Sequence, residues 1–214
     1  MKIIDLSLPM GAGMPVFPGT DPCSVARSHQ IPATDFTMGH MVVNSHAGTH
    51  CDAPMHFLAD GEGIQHWALE RCVGEARVLD FSHKKPREEI TRADLLPYDE
   101  YFTPGAKILL RTDWDLQIDT GDNYFHDYPG VSVDAAQYLV EKKIGMLGCD
   151  AASQNDVHGT EVHRTLLSGD ILLTESLANL RELPTDKPFF YVGTPWNWKD
   201  ADGMPVRAIA IIFD

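Results

Sequence analysis

No apolar run in this sequence is long enough to cross a bilayer: the longest, Ala208 to Phe213, has six residues, against the ~18 a membrane helix needs. There is no Cys-x-x-Cys pair either. Cys23, Cys51, Cys72 and Cys149 are widely scattered, which excludes a dithiol redox motif or zinc ribbon and reads as reduced, mostly buried thiols. Positive charge is scarce. Seventeen Lys and Arg face thirty-one Asp and Glu, a formal net charge of −14, so neither nucleic acid nor an anionic membrane is an expected partner. Also missing are a Gly-x-Ser-x-Gly elbow, a Gly-x-x-x-x-Gly-Lys phosphate loop and a His-Glu-x-x-His helix. Gly11-Ala12-Gly13 is followed by Val16 where a dinucleotide fingerprint requires its third glycine.

The 214 residues are 43% hydrophobic and 22% charged, ordinary usage for a globular chain that builds one core, so a single domain over residues 1–214 is expected. Met1-Lys2-Ile3-Ile4-Asp5-Leu6 puts an acid where a secretory signal needs its apolar centre, and the chain is read as cytoplasmic. Strand-like segments are Lys2 to Leu8, Phe36 to Asn44, Glu75 to Phe81, Ala106 to Thr112, Ile144 to Cys149, Ile171 to Thr174, Phe189 to Gly193 and Arg207 to Phe213. Val133 to Lys143 has helical spacing behind Ser132 as N-cap, Thr91 to Leu96 opens with Thr91 and Asp94 as a capping box, and Trp67 to Cys72 is a third short helix. The pattern is mixed α/β. Met10 to Pro22, with three prolines and three glycines, is a long loop of the kind that carries function. Asp200-Ala201-Asp202-Gly203 reads as a hairpin turn, since the remaining ligands of a calcium loop are missing.

Three of the ten histidines fall within eleven residues, His46-Ala47-Gly48-Thr49-His50-Cys51-Asp52-Ala53-Pro54-Met55-His56. Every imidazole and carboxylate there occupies an even position, so an extended chain projects His46, His50, Asp52 and His56 from one face and leaves Cys51 and Met55 on the other. A straight strand spreads four residues over ~13 Å, too far for one ion whose ligands sit ~2 Å away. The segment is therefore expected to bend, with Gly48 and Pro54 supporting an irregular loop that folds His46 and His50 onto one ion beside Asp52. Neutral imidazoles with a carboxylate suit Zn²⁺, with Mn²⁺ or Fe²⁺ as alternates. A second polar cluster, Asp150, Asp156, His158, Glu161, His163 and Glu175, is placed to complete such a site. Spacing does not choose between His158 and His163. Glu175 lies inside the apolar run from Ile171 to Leu177, where a carboxylate without a cationic partner is costly.

His46-x-Gly48-Thr49-His50-x-Asp52-x-Pro54-x-His56-Phe57 resembles the signature of the metal-dependent cyclase family, which includes bacterial kynurenine formamidases and isatin hydrolases. The resemblance runs from Pro15-Val16-Phe17-Pro18-Gly19 to the Glu175 region. It implies an α/β fold with a mixed β-sheet or barrel-like core flanked by helices, of the swivelling β/β/α kind, assembled as a homodimer or larger homo-oligomer. It also implies one or two metal ions, commonly a zinc pair, held by His46, His50 and Asp52 on one side and His163 and Glu175 on the other, with Asp52 and Glu175 shared. His163 is thereby selected over His158, and the presence of both His163 and Glu175 matches the formamidases better than the single-metal isatin hydrolases. His56 would be the general acid and base. Phe17 stands where the formamidases carry a tryptophan, keeping a ring for an aromatic substrate but losing the indole N–H.

The expected reaction is hydrolysis of N-formylkynurenine to kynurenine and formate by metal-bound hydroxide, with His56 carrying the proton to the departing nitrogen. A near alternative is ring opening of a cyclic amide or lactone. From another class comes a non-catalytic metal-binding protein, against which His56 speaks, because an inert site has no use for a free base.

Overall fold

The structure, a computed structural model, describes residues 1–213. Its centre is four parallel neighbours, β5 (Val73–Asp80), β7 (Lys107–Arg111), β9 (Met146–Cys149) and β10 (Leu172–Glu175). β7, β9 and β10 are buried on both faces along most of their length and read as short apolar runs, whereas β5 alternates, with Glu75 and Arg77 between its apolar residues. Alternation then sorts their side chains. Val78, Leu109, Met146 and Leu172 face one core layer, with Tyr191 and Cys51, while Leu79, Ile108, Leu110, Leu147 and Leu173 face the other.

Two antiparallel flanks extend the sheet. On one side lie β11 (Phe189–Val192), β13 (Ile209–Ile212) and β1 (Lys2–Asp5); on the other lie β4 (His50–Asp52) and β12 (Gly203–Pro205). The spatial order is β1-β13-β11-β5-β7-β9-β10-β4-β12, a mixed sheet curled into a half-barrel and flanked by helices. Helices α2 (Val133–Lys142) and α3 (Gly159–Ser168) cover the second face with Ala135, Ala136, Leu139, Val162, Leu166 and Leu167. A short helix, α1 (Arg92–Leu95), carries the expected capping box of Thr91 and Asp94, and Ser132 Oγ accepts the Ala135 N–H at the start of α2. Strands β2 (Ser24–His29) and β3 (Met38–Val42) form a separate ribbon, exposed along nearly its whole length, and β6 (Glu89–Ile90) and β8 (Gly130–Val131) a small parallel pair.

Three local expectations change. Trp67 to Cys72 contains only a three-residue 3-10 turn, Leu69–Arg71, because Trp67 and Ala68 take extended backbone and β5 begins at Val73. The segment around His163, to which the sequence assigns no element, is helical. Its start has no side-chain cap, so the usual sequence marker of a helix N-terminus is missing there. His50 to Asp52, expected in an irregular loop, is a short strand, with the irregularity confined to its two ends. All four cysteines are buried and free.

Candidate metal centre

Strand pairing builds the site. β4 runs antiparallel to β10, and His50 lies directly opposite Glu175, so two residues far apart in the chain become cross-strand neighbours. On β4, His50 and Asp52 share a face while Cys51 points into the core between them. Ahead of β4 the chain turns through Gly48 at φ +59°, a conformation that favours glycine. That turn brings His46 back over Asp52. Helix α3 packs beside β10 and delivers His163 to Glu175. Past β4, Pro54–His56 forms a 3-10 turn with Pro54 at its start, and His56 stacks on His46 with ring centroids 3.9 Å apart.

The donors form two triples around Asp52, one with His46 and His56 and one with His50 and Glu175, the ligand atoms of each within 4.8 Å of one another, and His163 adjoins the second. His46 Nδ1 is 2.9 Å and His50 Nε2 3.4 Å from Asp52 Oδ1. His163 Nε2 is 3.4 Å from Asp52 Oδ2 and 3.1 Å from Glu175 Oε1, and His50 Nε2 is 3.6 Å from Glu175 Oε2. Ligands at 2.0–2.1 Å on a tetrahedral ion lie ~3.3 Å apart, so these spacings are those of a coordination cage. Each histidine is also oriented from behind. His50 Nδ1 faces the Gly48 carbonyl at 2.8 Å, His163 Nδ1 the Gly159 carbonyl at 2.6 Å, and His46 Nε2 the Asp202 carboxylate at 3.0 Å. With the outer nitrogen donating its proton, the inner one presents a lone pair, the arrangement in which imidazoles ligate metals. Asp52 Oδ2 is buried and accepts no hydrogen bond, an orphaned acceptor that a cation would satisfy. The residues fit a metal ion.

Protonation follows from the same contacts. Burial alone would lower His46 and His163, but the nearby carboxylates of Asp202 and Asp52, and of Asp52 and Glu175 respectively, outweigh it and raise both to about 10. Burial would raise Asp52, yet His163, His46 and His50 hold it well below the usual carboxylate range. Asp202 is likewise lowered, by His46 first and His56 second. For the metal-free chain, histidines raised above their ordinary 6.5 contribute stability fully below pH 6.5 and lose it as pH climbs toward 10. Metal must displace those protons, so affinity moves the opposite way. Between pH 6.5 and 10, thermal unfolding of metal-stripped protein is expected to shift to lower temperature while competition titrations show tighter metal binding.

Beside the cage opens a cleft of about 900 Å³. Phe17, from the long proline-rich loop, lines it half exposed and meets Phe125 edge-on with centroids 5.7 Å apart. His126 and His158 also line it, both exposed and outside the cage. Asp150 does not join: it sits in a separate acidic group, accepting from Thr112 and Asp113, while its neighbour Asp115 binds Arg181. The sequence reading missed Phe125, which had no pattern to mark it, and the carboxylate of Asp202, which it saw only as part of a turn.

A half-barrel sheet carrying such a donor cage defines a metal-dependent hydrolase. The family model described as "Putative cyclase" matches residues 4–156, and the chain belongs to that family. The kynurenine formamidase of Sphingopyxis alaskensis is 30% identical over 213 residues, covering 97% of each chain, so the likeness extends beyond the stretch matched by the family model. Among solved structures, a "predicted metal-dependent hydrolase from Bacillus stearothermophilus" superposes with a TM-score of 0.82 at 27% identity, covering 98% of this chain and 97% of that one. An isatin hydrolase bound to the product analogue thioisatinate gives 0.90 at 24% identity, covering 100% and 93%, a likeness of fold.

Proposed function

We propose that this protein, as one domain over residues 1–214, hydrolyses an aryl formamide, N-formylkynurenine foremost, to the arylamine and formate. The observation that carries the reading is a five-residue cage, His46, His50, Asp52, His163 and Glu175, with a sixth group, His56, held at its edge beside an aromatic-walled cleft. His46, His50 and Asp52 would hold one ion, and His163 and Glu175 a second, with Asp52 and Glu175 shared. Imidazole and carboxylate donors favour Zn²⁺, with Mn²⁺ as the alternate. When bound, such an ion lowers the pKa of water from 15.7 to ~7 and polarises a carbonyl oxygen.

The remaining work falls to side chains. Phe17 and Phe125, packed edge to face, offer the aryl ring one aromatic wall to lie against and turn its formamide toward the cage. His56 accepts the proton of the attacking water as the new C–O bond forms. It then delivers that proton to the aniline nitrogen as the C–N bond breaks, so that a neutral amine and formic acid leave, the acid releasing its proton to solvent as formate. An imidazole suits both transfers because its unperturbed pKa lies near neutrality. The same groups would open a cyclic amide such as isatin, where the bond broken is again the acyl C–N bond of an aryl amide. A homodimer is the assembly we propose, on the precedent of the resemblance.

Stripping the purified protein with a chelator is expected to abolish N-formylkynurenine hydrolysis, and titrating Zn²⁺ or Mn²⁺ back to restore it, with elemental analysis giving one to two ions per chain. Hydrolysis that survives complete stripping would refute the reading. A panel of formanilides, cyclic imides and lactones ranks the substrate classes.

A further inference from the structure

The turn at Asp200 to Gly203 is built around the site. Gly203 pairs with Asp52 in register, and the Ala53 N–H donates to the Asp202 carbonyl at 2.9 Å. A Cβ at Gly203 would fall 2.4 Å from His46 Cε1, so a glycine lets His46 lie flat against the turn. A second anchor comes from the Ile64 N–H, which donates to the Ala201 carbonyl at 3.0 Å. The backbone that presents Asp202 is thus tied at several points to the segment that carries His50, Asp52 and His56.

Its carboxylate faces two imidazoles at once. Oδ2 accepts from His46 Nε2 at 3.0 Å and lies 3.7 Å from His56 Nδ1. We propose that Asp202 is a positioning residue that serves both halves of the site through this one oxygen: it fixes the His46 tautomer so that Nδ1 points at Asp52, and it orients His56 so that Nε2 is left to face the cleft. Two rings stacked at 3.9 Å have no directional bond between them, and a carboxylate hydrogen-bonded to one and 3.7 Å from the other sets their relative rotation. The inference rests on the metal and His56 roles given above and adds a residue to them.

The test compares parent, Asp202→Asn, His56→Ala and the double variant. Metal affinity is read by competition with a chromophoric chelator, and kcat and KM on N-formylkynurenine at saturating Zn²⁺. Asn preserves shape, so folding is kept. Its neutral amide is a weaker acceptor than a carboxylate, and removing an outer partner of a ligand histidine typically costs 10–100-fold in metal affinity or activity. Expected for Asp202→Asn are metal binding weaker by roughly 10–100-fold and kcat down by a similar factor with KM nearly unchanged. In the His56→Ala background the same substitution should lower kcat no further, since the group it orients is gone. Parental metal affinity in Asp202→Asn, or a full additional loss of kcat in the double variant, overturns the proposal. If the parent hydrolyses no formamide, the functional reading falls, and the chelator titration still decides whether Asp202 supports His46. As a check on shape, Asp202→Glu should recover part of the metal affinity, and recovery of none counts against a carboxylate role.

Discussion

Replacing His56 by alanine is expected to lower turnover of N-formylkynurenine by roughly 10²–10⁴-fold while bound metal stays in place. The reason is position. His56 lies on the turn after β4, stacked on His46 and lining the cleft, whereas the five groups of the cage meet one another through Asp52 and Glu175 without it. Truncating the ring removes a proton carrier and leaves those contacts intact. Positioned proton transfer is worth ~3–5 kcal/mol of barrier at 1.36 kcal/mol per decade. Turnover in His56→Ala equal to the parent, measured at matched metal content, would remove the assigned role; loss of metal in that variant would make His56 a ligand instead.

Asp52→Asn should do the reverse and empty the site. Asp52 is fully buried and touches His46 and His50 through Oδ1 and His163 through Oδ2. It is the residue through which the two donor triples are joined. An amide keeps the volume but supplies neither the charge nor the second acceptor that a shared ion requires. Expected are metal content near zero after gel filtration and hydrolysis reduced by about three orders of magnitude or more, since an acidified water is worth several kcal/mol. The metal-free variant should also unfold at lower temperature than metal-free parent, because His46 and His163 each lose one of the two carboxylates that raise them to about 10. An Asp52→Asn protein that retains stoichiometric metal would contradict the cage.

Strands such as β7 could be read from the sequence because burial on both faces demands apolar runs, and Ile108-Leu109-Leu110 has no competing periodicity. The histidine cluster could be read because its spacing is local: even-numbered positions share a face over the three residues of β4, and Gly48 announces the turn that returns His46. Glu175 was marked by the cost of a carboxylate in an apolar run, although the strand opposite it could not be named. His163 was less visible, since its helix lacks a capping side chain. Asp202 was legible as a turn residue and invisible as a partner of His46, 156 positions away.

From its own order of residues, then, the chain determined its class of fold, the bend near Gly48 and the kinds of donor atom available, because those depend on periodicity, backbone freedom and chemistry within a few neighbours. Tertiary structure alone decided which donors meet. The pairing of β10 and β12 with β4 sets Glu175 opposite His50 and Asp202 behind His46, and such registers are selected by the burial of whole faces of the sheet rather than by any segment read by itself.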